Sequence, residues 1–392
     1  MPSQHGVHSW LGIEKPDAQM GEGAYSTIKE FPSLPGLLAD AGYRCAMTGK
    51  WHLGDSLNPQ SGFDYWFAKP RGHTRSFYGA EAIWQGKAYR EPGYYLDAIT
   101  GHAVDFLEES QGAPFFLYVG YNAPYGLDGD LRKGHRNRHA RYYSDRSLGC
   151  FPRVKPHPWL RGNRDCVGNE TAMRSYSAAV SGVDDGVGKI LEALARLNLE
   201  KDTLVIYTAD HGFCGGHHGF WGMSDHGLPL TMFEENLRIP LIMRHTGKIP
   251  AGLSCAGAVC NYDFLPSLLD YAGLPFSVAG ALPLAGRSFS PLLAGESFAR
   301  EEEITFHEYE NTRTIRTPSW KFTKRFPGGP HDLYNIRSDP GEWLNLVCEP
   351  RYDGIKKDLE SRLDAFFKRY AEPEYDIFKG GRSKAGKFIH KS

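Results

Sequence analysis

The chain has 392 residues, 41% hydrophobic and 13% aromatic, enough apolar material for a large core and too much for a disordered chain. Lysine and arginine (45) balance aspartate and glutamate (46), and a net charge of -1 gives no general affinity for nucleic acid or an anionic membrane. No apolar run is long enough to span a bilayer, and Met1-Pro-Ser-Gln-His5 has neither the basic nor the apolar part of a leader.

In chain order, Ser33–Gly42 reads as a helix closed by its glycine, and Tyr43–Thr48 as a strand leading into Gly49-Lys-Trp-His-Leu-Gly54. Leu96–Glu109 is helical by period, and Pro114–Gly120 is a strand opening onto Tyr121-Asn-Ala-Pro-Tyr125. Ala172–Leu199 carries Val180, Val183, Val187, Ile190, Leu191, Leu194 and Leu197 at helical spacing. The strand Thr203–Thr208 follows and ends in Asp210-His211-Gly212. Helix, strand and polar loop thus recur three times, which predicts an α/β protein with a mostly parallel central sheet and helices on both faces. All three polar clusters are expected at the carboxyl edge of that sheet, where ligands collect in open α/β folds.

A further strand (239–243) and a helix (Tyr262–Gly273, with Pro266 in its first turn) extend the core. Beyond residue 300, short alternating runs at 304–309, 312–317, 320–326 and 331–336 predict a small antiparallel sheet. A charged helix over Asp353–Tyr370 follows. The expected division is therefore 1–300, a catalytic α/β domain with an insertion over 126–170, and 301–392, a C-terminal sheet-plus-helix subdomain. Within the insertion, Arg132–Arg164 holds ten Lys or Arg against one acid, Asp145, a loop able to attract anions or to serve as a solvated lid. Seven scattered cysteines form no Cys-x-x-Cys; Cys150 with Cys166, or Cys255 with Cys260, pair only if the compartment is oxidising.

Gly49-Lys-Trp-His-Leu-Gly54, Asp210-His-Gly212, Gly216-His-His-Gly219, Met232–Ile242, Asp263–Gly273, Gly286–Leu293 and Asp332–Glu342, in this order and spacing, resemble the sulfatase family of the alkaline-phosphatase-like superfamily along nearly the whole chain. The resemblance implies a sulfuric ester hydrolase acting on a sulfate monoester, plausibly of a carbohydrate. Lys50 and His52 would flank the nucleophile and the sulfate, since sulfuryl transfer builds charge on oxygens that a fixed cation can hold. Asp210 and His211 would supply half of a divalent metal site, with Ca2+ favoured by carboxylate ligands and Mn2+ or Zn2+ admitted by the imidazole.

His73 would line the pocket rim, and Tyr125 stands where relatives often carry a histidine; with a reference pKa near ~10 it is the poorer acid. His226 stands in for a family lysine, here Met223, and His217 and His218 are candidates to support the metal ligands. The family's Cys/Ser-x-Pro-Ser-Arg, source of its formylglycine nucleophile, does not occur in the chain. Because Met1–His8 resembles the segment that follows it, the nucleophile, two further aspartates and a first strand are expected before Met1, and poor solubility is expected with that strand absent. A phosphodiesterase or phosphonate monoester hydrolase of the same superfamily, and a noncatalytic protein binding anionic glycans through Arg132–Arg164, are the alternatives. A periplasmic or extracellular location is plausible by family.

Overall fold

The computed structural model describes residues 1–9, 19–71, 76–124, 129–134, 136–275, 283–296 and 303–385. It divides into two compact units, one made of Lys15–Leu204 and Phe213–Leu228, the other of Met1–Glu14, Val205–Gly212 and Pro229–Ser392.

The first unit is built on a mixed five-stranded sheet in the order β4-β3-β2-β1-β5. Strand β1 (Arg44–Lys50) runs parallel to both neighbours, β2 (Tyr65–Lys69) and β5 (Phe115–Gly120); β3 (Tyr78–Trp84) and β4 (Lys87–Tyr94) add antiparallel. Side chains alternate across the sheet. Tyr65 packs with Phe106, and Phe67 with Tyr95 and Ile99, all three partners on α3 (Tyr95–Glu109), whereas Trp66 and Ala68 pack with Trp51 on the other face. Every residue of β2 is therefore buried, the signature of a strand covered on both sides.

Helix α2 (Leu34–Asp40) starts where the Ser33 hydroxyl accepts the Gly36 N–H at 3.1 Å, and Gly42 follows it at φ +88°, close to the sequence reading. Short helices α4 (Gly129–Lys133) and α5 (Ala140–Tyr143) pack on the long α6 (Glu170–Arg196). Two short strands, β7 (Cys214–Gly215) and β8 (Trp221–Gly222), close a loop that returns to the same unit. The β3–β4 hairpin escaped the sequence reading. Its Gln85-Gly86 turn, at φ +49° and +71°, is the two-residue connection that should have announced it.

In the second unit, β6 (Val205–Thr208) pairs antiparallel with β9 (Leu241–Arg244). The sequence reading placed β6 at one sheet edge with β1 and β5. An apolar run announces a strand but carries no information about its partner or direction. The same unit holds α1 (Pro2–His5), which packs on the C-terminal elements, α7 (Glu234–Leu237), α8 (Phe264–Tyr271, with Pro266 in its first turn) and α9 (Ser290–Leu293).

The C-terminal antiparallel sheet forms as expected from β10 (Thr305–Tyr309), β11 (Thr312–Arg316), β12 (Lys321–Arg325) and β13 (Asp332–Tyr334). Helix α10 (Asp353–Tyr370) lays Leu359, Leu363 and Phe367 on Ile315, Phe322 and Leu333 of that sheet. All seven cysteines are unbridged, and no described helix is long and apolar enough to cross a membrane.

Candidate functional site

The ends of β1 and β5 meet through two glycines. Gly49 faces Gly120 in register, and a Cβ built on Gly49, already at φ +113°, would lie 2.1 Å from the Gly120 carbonyl oxygen. Only glycine permits both the conformation and the approach. Immediately beyond, Trp51 is buried against Trp66 and Phe63, and its indole N–H donates to the Gly54 carbonyl at 2.6 Å. In an extended segment neighbouring side chains point to opposite sides, so anchoring Trp51 inward directs Lys50 and His52 the other way. Both are half-buried. Lys69, buried at the end of β2 and in register with Lys50, adds a second lysine to this edge, one the sequence reading passed over. The loop after β5 begins with Tyr121, whose hydroxyl hydrogen-bonds Thr100 at 2.7 Å, and buried Asn122. Tyr125 and His73 lie outside the described residues.

The Cys214–Gly227 loop belongs to the same unit. Gly216, Gly219 and Gly222 all take positive φ, and side chains there would collide with Pro152, with Lys155 and His157, and with the His226 ring, respectively. His226 is thereby seated over Gly222, with Nδ1 3.0 Å from the Asp225 carboxylate. The basic insertion docks on this loop. The Phe151 ring stacks on Trp221 and the His157 ring on Phe220, and the His157 N–H donates to the Gly219 carbonyl at 2.9 Å. Burial, then the neighbouring His218 and Arg164, push the His157 imidazole below its ordinary pKa.

Part of the insertion's charge is paired among the described residues. Arg132 pairs with Asp165, Arg138 with Asp97 and Asp185, and Arg153 with Glu170; Arg164 donates to the carbonyls of His157 and Leu160. Arg136 lies over the Tyr78 ring and Arg146 over Tyr142. The insertion is thus a docked element with Arg132, Arg138 and Arg153 ion-paired, while Lys133, Arg141, Lys155 and Arg161 make no ion pair among the described residues.

In the second unit, β6 delivers Asp210 and His211. The Gly212 N–H donates to the Asn236 carbonyl at 3.0 Å, and a Cβ on Gly212 would meet the Glu235 carbonyl oxygen at 2.0 Å. The Asn261 side chain donates to the Asp210 carbonyl at 3.2 Å. Behind α7 lies a buried ion network. Lys321 pairs with Glu342 and, at 3.3 Å, with Glu234, while the Glu234 N–H donates to Glu342 at 2.7 Å. Burial raises the Glu342 carboxyl above its ordinary range in spite of Lys321. From sequence each of these three charges passes for a surface residue.

His211 Nδ1 donates to the Gly212 carbonyl at 2.8 Å, leaving Nε2 as the acceptor, 3.6 Å from Asp210 Oδ1. Bonds of roughly 2.0–2.4 Å to one divalent ion bring neighbouring ligand atoms to roughly 3–3.7 Å, so this oxygen and nitrogen fit two adjacent corners of a metal site.

Residues 16–274 match the Sulfatase family, and residues 217–369 match the family described as N-sulphoglucosamine sulphohydrolase, C-terminal. The chain belongs to the sulfatase family. Its reaction class is that of a sulfuric ester hydrolase, on the alkaline-phosphatase-like fold. This sulfatase is 26% identical to an N-acetylglucosamine-6-O-sulfatase of Bacteroides thetaiotaomicron, over 89% of this chain and 75% of that protein. It is 26% identical to a Δ4,5-hexuronate-2-O-sulfatase of the same organism, over 86% and 72%, and 28% identical to human arylsulfatase K, over 67% and 54%. Among solved structures, a protein in complex with its substrate D-glucosamine-2-N,6-O-disulfate superposes with a TM-score of 0.70 at 23% identity, covering 94% of this chain and 88% of that one. A 2-O glycosaminoglycan sulfatase superposes with a TM-score of 0.63 at 20% identity, covering 99% and 87%.

Proposed function

We propose that this sulfatase hydrolyses a sulfate monoester carried by a sugar. The observation that carries the reading is the Trp51 anchor at the glycine-to-glycine contact of β1 and β5, which presents a cation and an imidazole side by side at a sheet edge. Lys50 holds the charge that develops on the nonbridging sulfate oxygens, and His52 moves a proton at the reacting oxygen. His226, beside Asp225, donates a further hydrogen bond to the sulfate, while His73 and Tyr125 contact the sugar and the leaving oxygen. Asp210 and His211 would hold a divalent cation, with Ca2+ suited to the carboxylate and Mn2+ or Zn2+ to the imidazole, and the chemistry such an ion supplies is fixed positive charge. The formylglycine of the family has no counterpart among these 392 residues, and the reading assigns it no step.

The relatives that act on N-acetylglucosamine 6-O-sulfate and hexuronate 2-O-sulfate support a sugar as the leaving group. Against the noncatalytic glycan-binding reading stands the pairing of Arg132, Arg138 and Arg153 with carboxylates, which lowers the charge the insertion offers a polyanion. The test is calorimetric titration with glucosamine 6-sulfate, the matched 6-phosphate and unsulfated glucosamine, with released sulfate and phosphate measured in the same samples. Binding selective for the sulfate ester, weakened about tenfold or more by Lys50→Ala, supports the reading. Preference for the phosphate ester with phosphate release transfers the protein to a phosphoester hydrolase, and indifference to both esters overturns the reading.

A further inference from the structure

The docked insertion leaves one arginine beside the candidate site without an internal partner. Leu160 forms an antiparallel bridge with Gly227: the Arg161 N–H donates to the His226 carbonyl at 2.9 Å, and the Leu228 N–H donates to the Trp159 carbonyl at 2.9 Å. Leu160 is buried at 3% exposure, whereas Trp159 is half-buried and Arg161 exposed. Arg161 is exposed and makes no ion pair among the described residues, in contrast to Arg132, Arg138 and Arg153. The bridge sets the backbone of Arg161 against that of His226, the last residue of the single helical turn Ser224–His226. Trp159 is half-buried, edge-on to His157 at 5.3 Å, and faces Leu228, which is 39% exposed.

An indole, a leucine and a guanidinium along one short rim have a definite chemistry. The apolar pair suits the C–H face of a pyranose. The guanidinium fork suits a carboxylate or sulfate, each of which accepts two parallel N–H donors. Arg141 is the other exposed arginine of the insertion without an ion pair among the described residues, and it lies on α5, which packs on α6.

We propose that Trp159 and Arg161 form a subsite for a second oxyanion on the sugar substrate, a carboxylate or another sulfate, next to the sulfate held at Lys50 and His226. This rests on the sulfated-sugar reading above. The subsite adds specificity rather than chemistry. It selects doubly anionic sugars over singly sulfated ones, and a bidentate guanidinium contact of this kind distinguishes the two by about tenfold or more in affinity.

The test is equilibrium binding by the full chain of glucosamine 6-sulfate, glucosamine 2-N,6-O-disulfate and a 6-sulfated disaccharide containing a uronate. The wild type is expected to bind one or both doubly anionic ligands about tenfold more tightly than the monosulfate. Arg161→Gln should remove that difference while leaving monosulfate affinity unchanged. Arg161→Lys, a point charge without the fork, should restore only part of it. Trp159→Ala should weaken all three ligands and Trp159→Phe should rescue them. The proposal is overturned if Arg161→Gln leaves the ratio intact, or if it weakens the monosulfate equally, as a merely structural role would. A wild type that binds the monosulfate without preferring either dianion fails the subsite alone; one that binds none of the three fails the sulfatase reading with it.

Discussion

The strand ends of β1 and β6 both present candidate functional residues, yet they are held by different means. β1 is hydrogen-bonded on both sides, and five of its seven residues are buried under packed rings. β6 has β9 on one side and grades into solvent, with Tyr207 39% exposed and its ladder partner Ile242 62% exposed. Packing therefore fixes Lys50 and His52. Asp210 and His211 are held instead by the Asn261 side chain donating to the Asp210 carbonyl and by the Gly212 N–H donating to the Asn236 carbonyl, with the buried charges of Lys321, Glu234 and Glu342 behind α7. Shape-based and charge-based scaffolds fail differently, and substitutions can separate them.

The largest effect is expected at Lys321. Lys321→Ala strands Glu342 and Glu234 as buried carboxylates and should cost about 3–5 kcal/mol in urea unfolding. Replacing the pair together, Lys321→Met with Glu342→Gln, should recover most of that loss. A cost below about 1 kcal/mol for Lys321→Ala would mean that the network does not support the β6 end. Next comes Gly49→Ala, which forces an L side chain into φ +113° and onto the Gly120 carbonyl. About 2–4 kcal/mol of destabilisation and loss of sulfate-ester binding are expected, and near-normal binding would show that the glycine contact does not set the Lys50 geometry.

Metal binding probes the β6 end directly. Ca2+, Mn2+ and Zn2+ should each be tried as stabilisers in thermal melts, and the raised midpoint with the preferred ion should vanish in Asp210→Ala and in His211→Ala. Because the Asp210 side chain is 64% exposed, the metal-free midpoints of wild type and Asp210→Ala should agree within a few degrees.

Acid should weaken the second unit. Burial pushes His307 down to about 4 and His8 below its ordinary 6.5, so both stay neutral in the fold. A histidine with a lowered folded pKa contributes its full stability above 6.5 and loses it as pH falls toward the folded value, because the unfolded chain takes up the proton first. Melting midpoints should drop by about 2–6 °C between pH 7 and pH 5, less in a His307→Asn variant. The smallest effect belongs to the open strand: Ile242→Thr should change stability by about 0.5 kcal/mol or less while reducing self-association in sedimentation runs.

How much was legible follows the same division. Lys50, His52, Asp210 and His211 stood out because each follows an apolar run and sits beside a glycine whose freedom the turn requires. The C-terminal sheet and α10 were readable from their alternation and helical spacing. The β3–β4 hairpin was not, since its strands mix charges into a weak pattern. Lys69, Lys321, Glu234 and Glu342 were not, because a charged side chain gives no local sign that it will be buried. The insertion's composition pointed to free positive charge, but ion-pair partners such as Asp97 and Asp185 lie outside it in sequence, and Asp165 and Glu170 only at its C-terminal end.

By itself, the amino-acid sequence determined what is local: period, caps, turn glycines and the family-specific order of motifs. Only the tertiary structure decided which strands pair and in which direction, which charges cancel, and which arginine of a basic loop is left facing the candidate site. Those outcomes depend on contacts between residues far apart in the chain, whose energies no single segment contains.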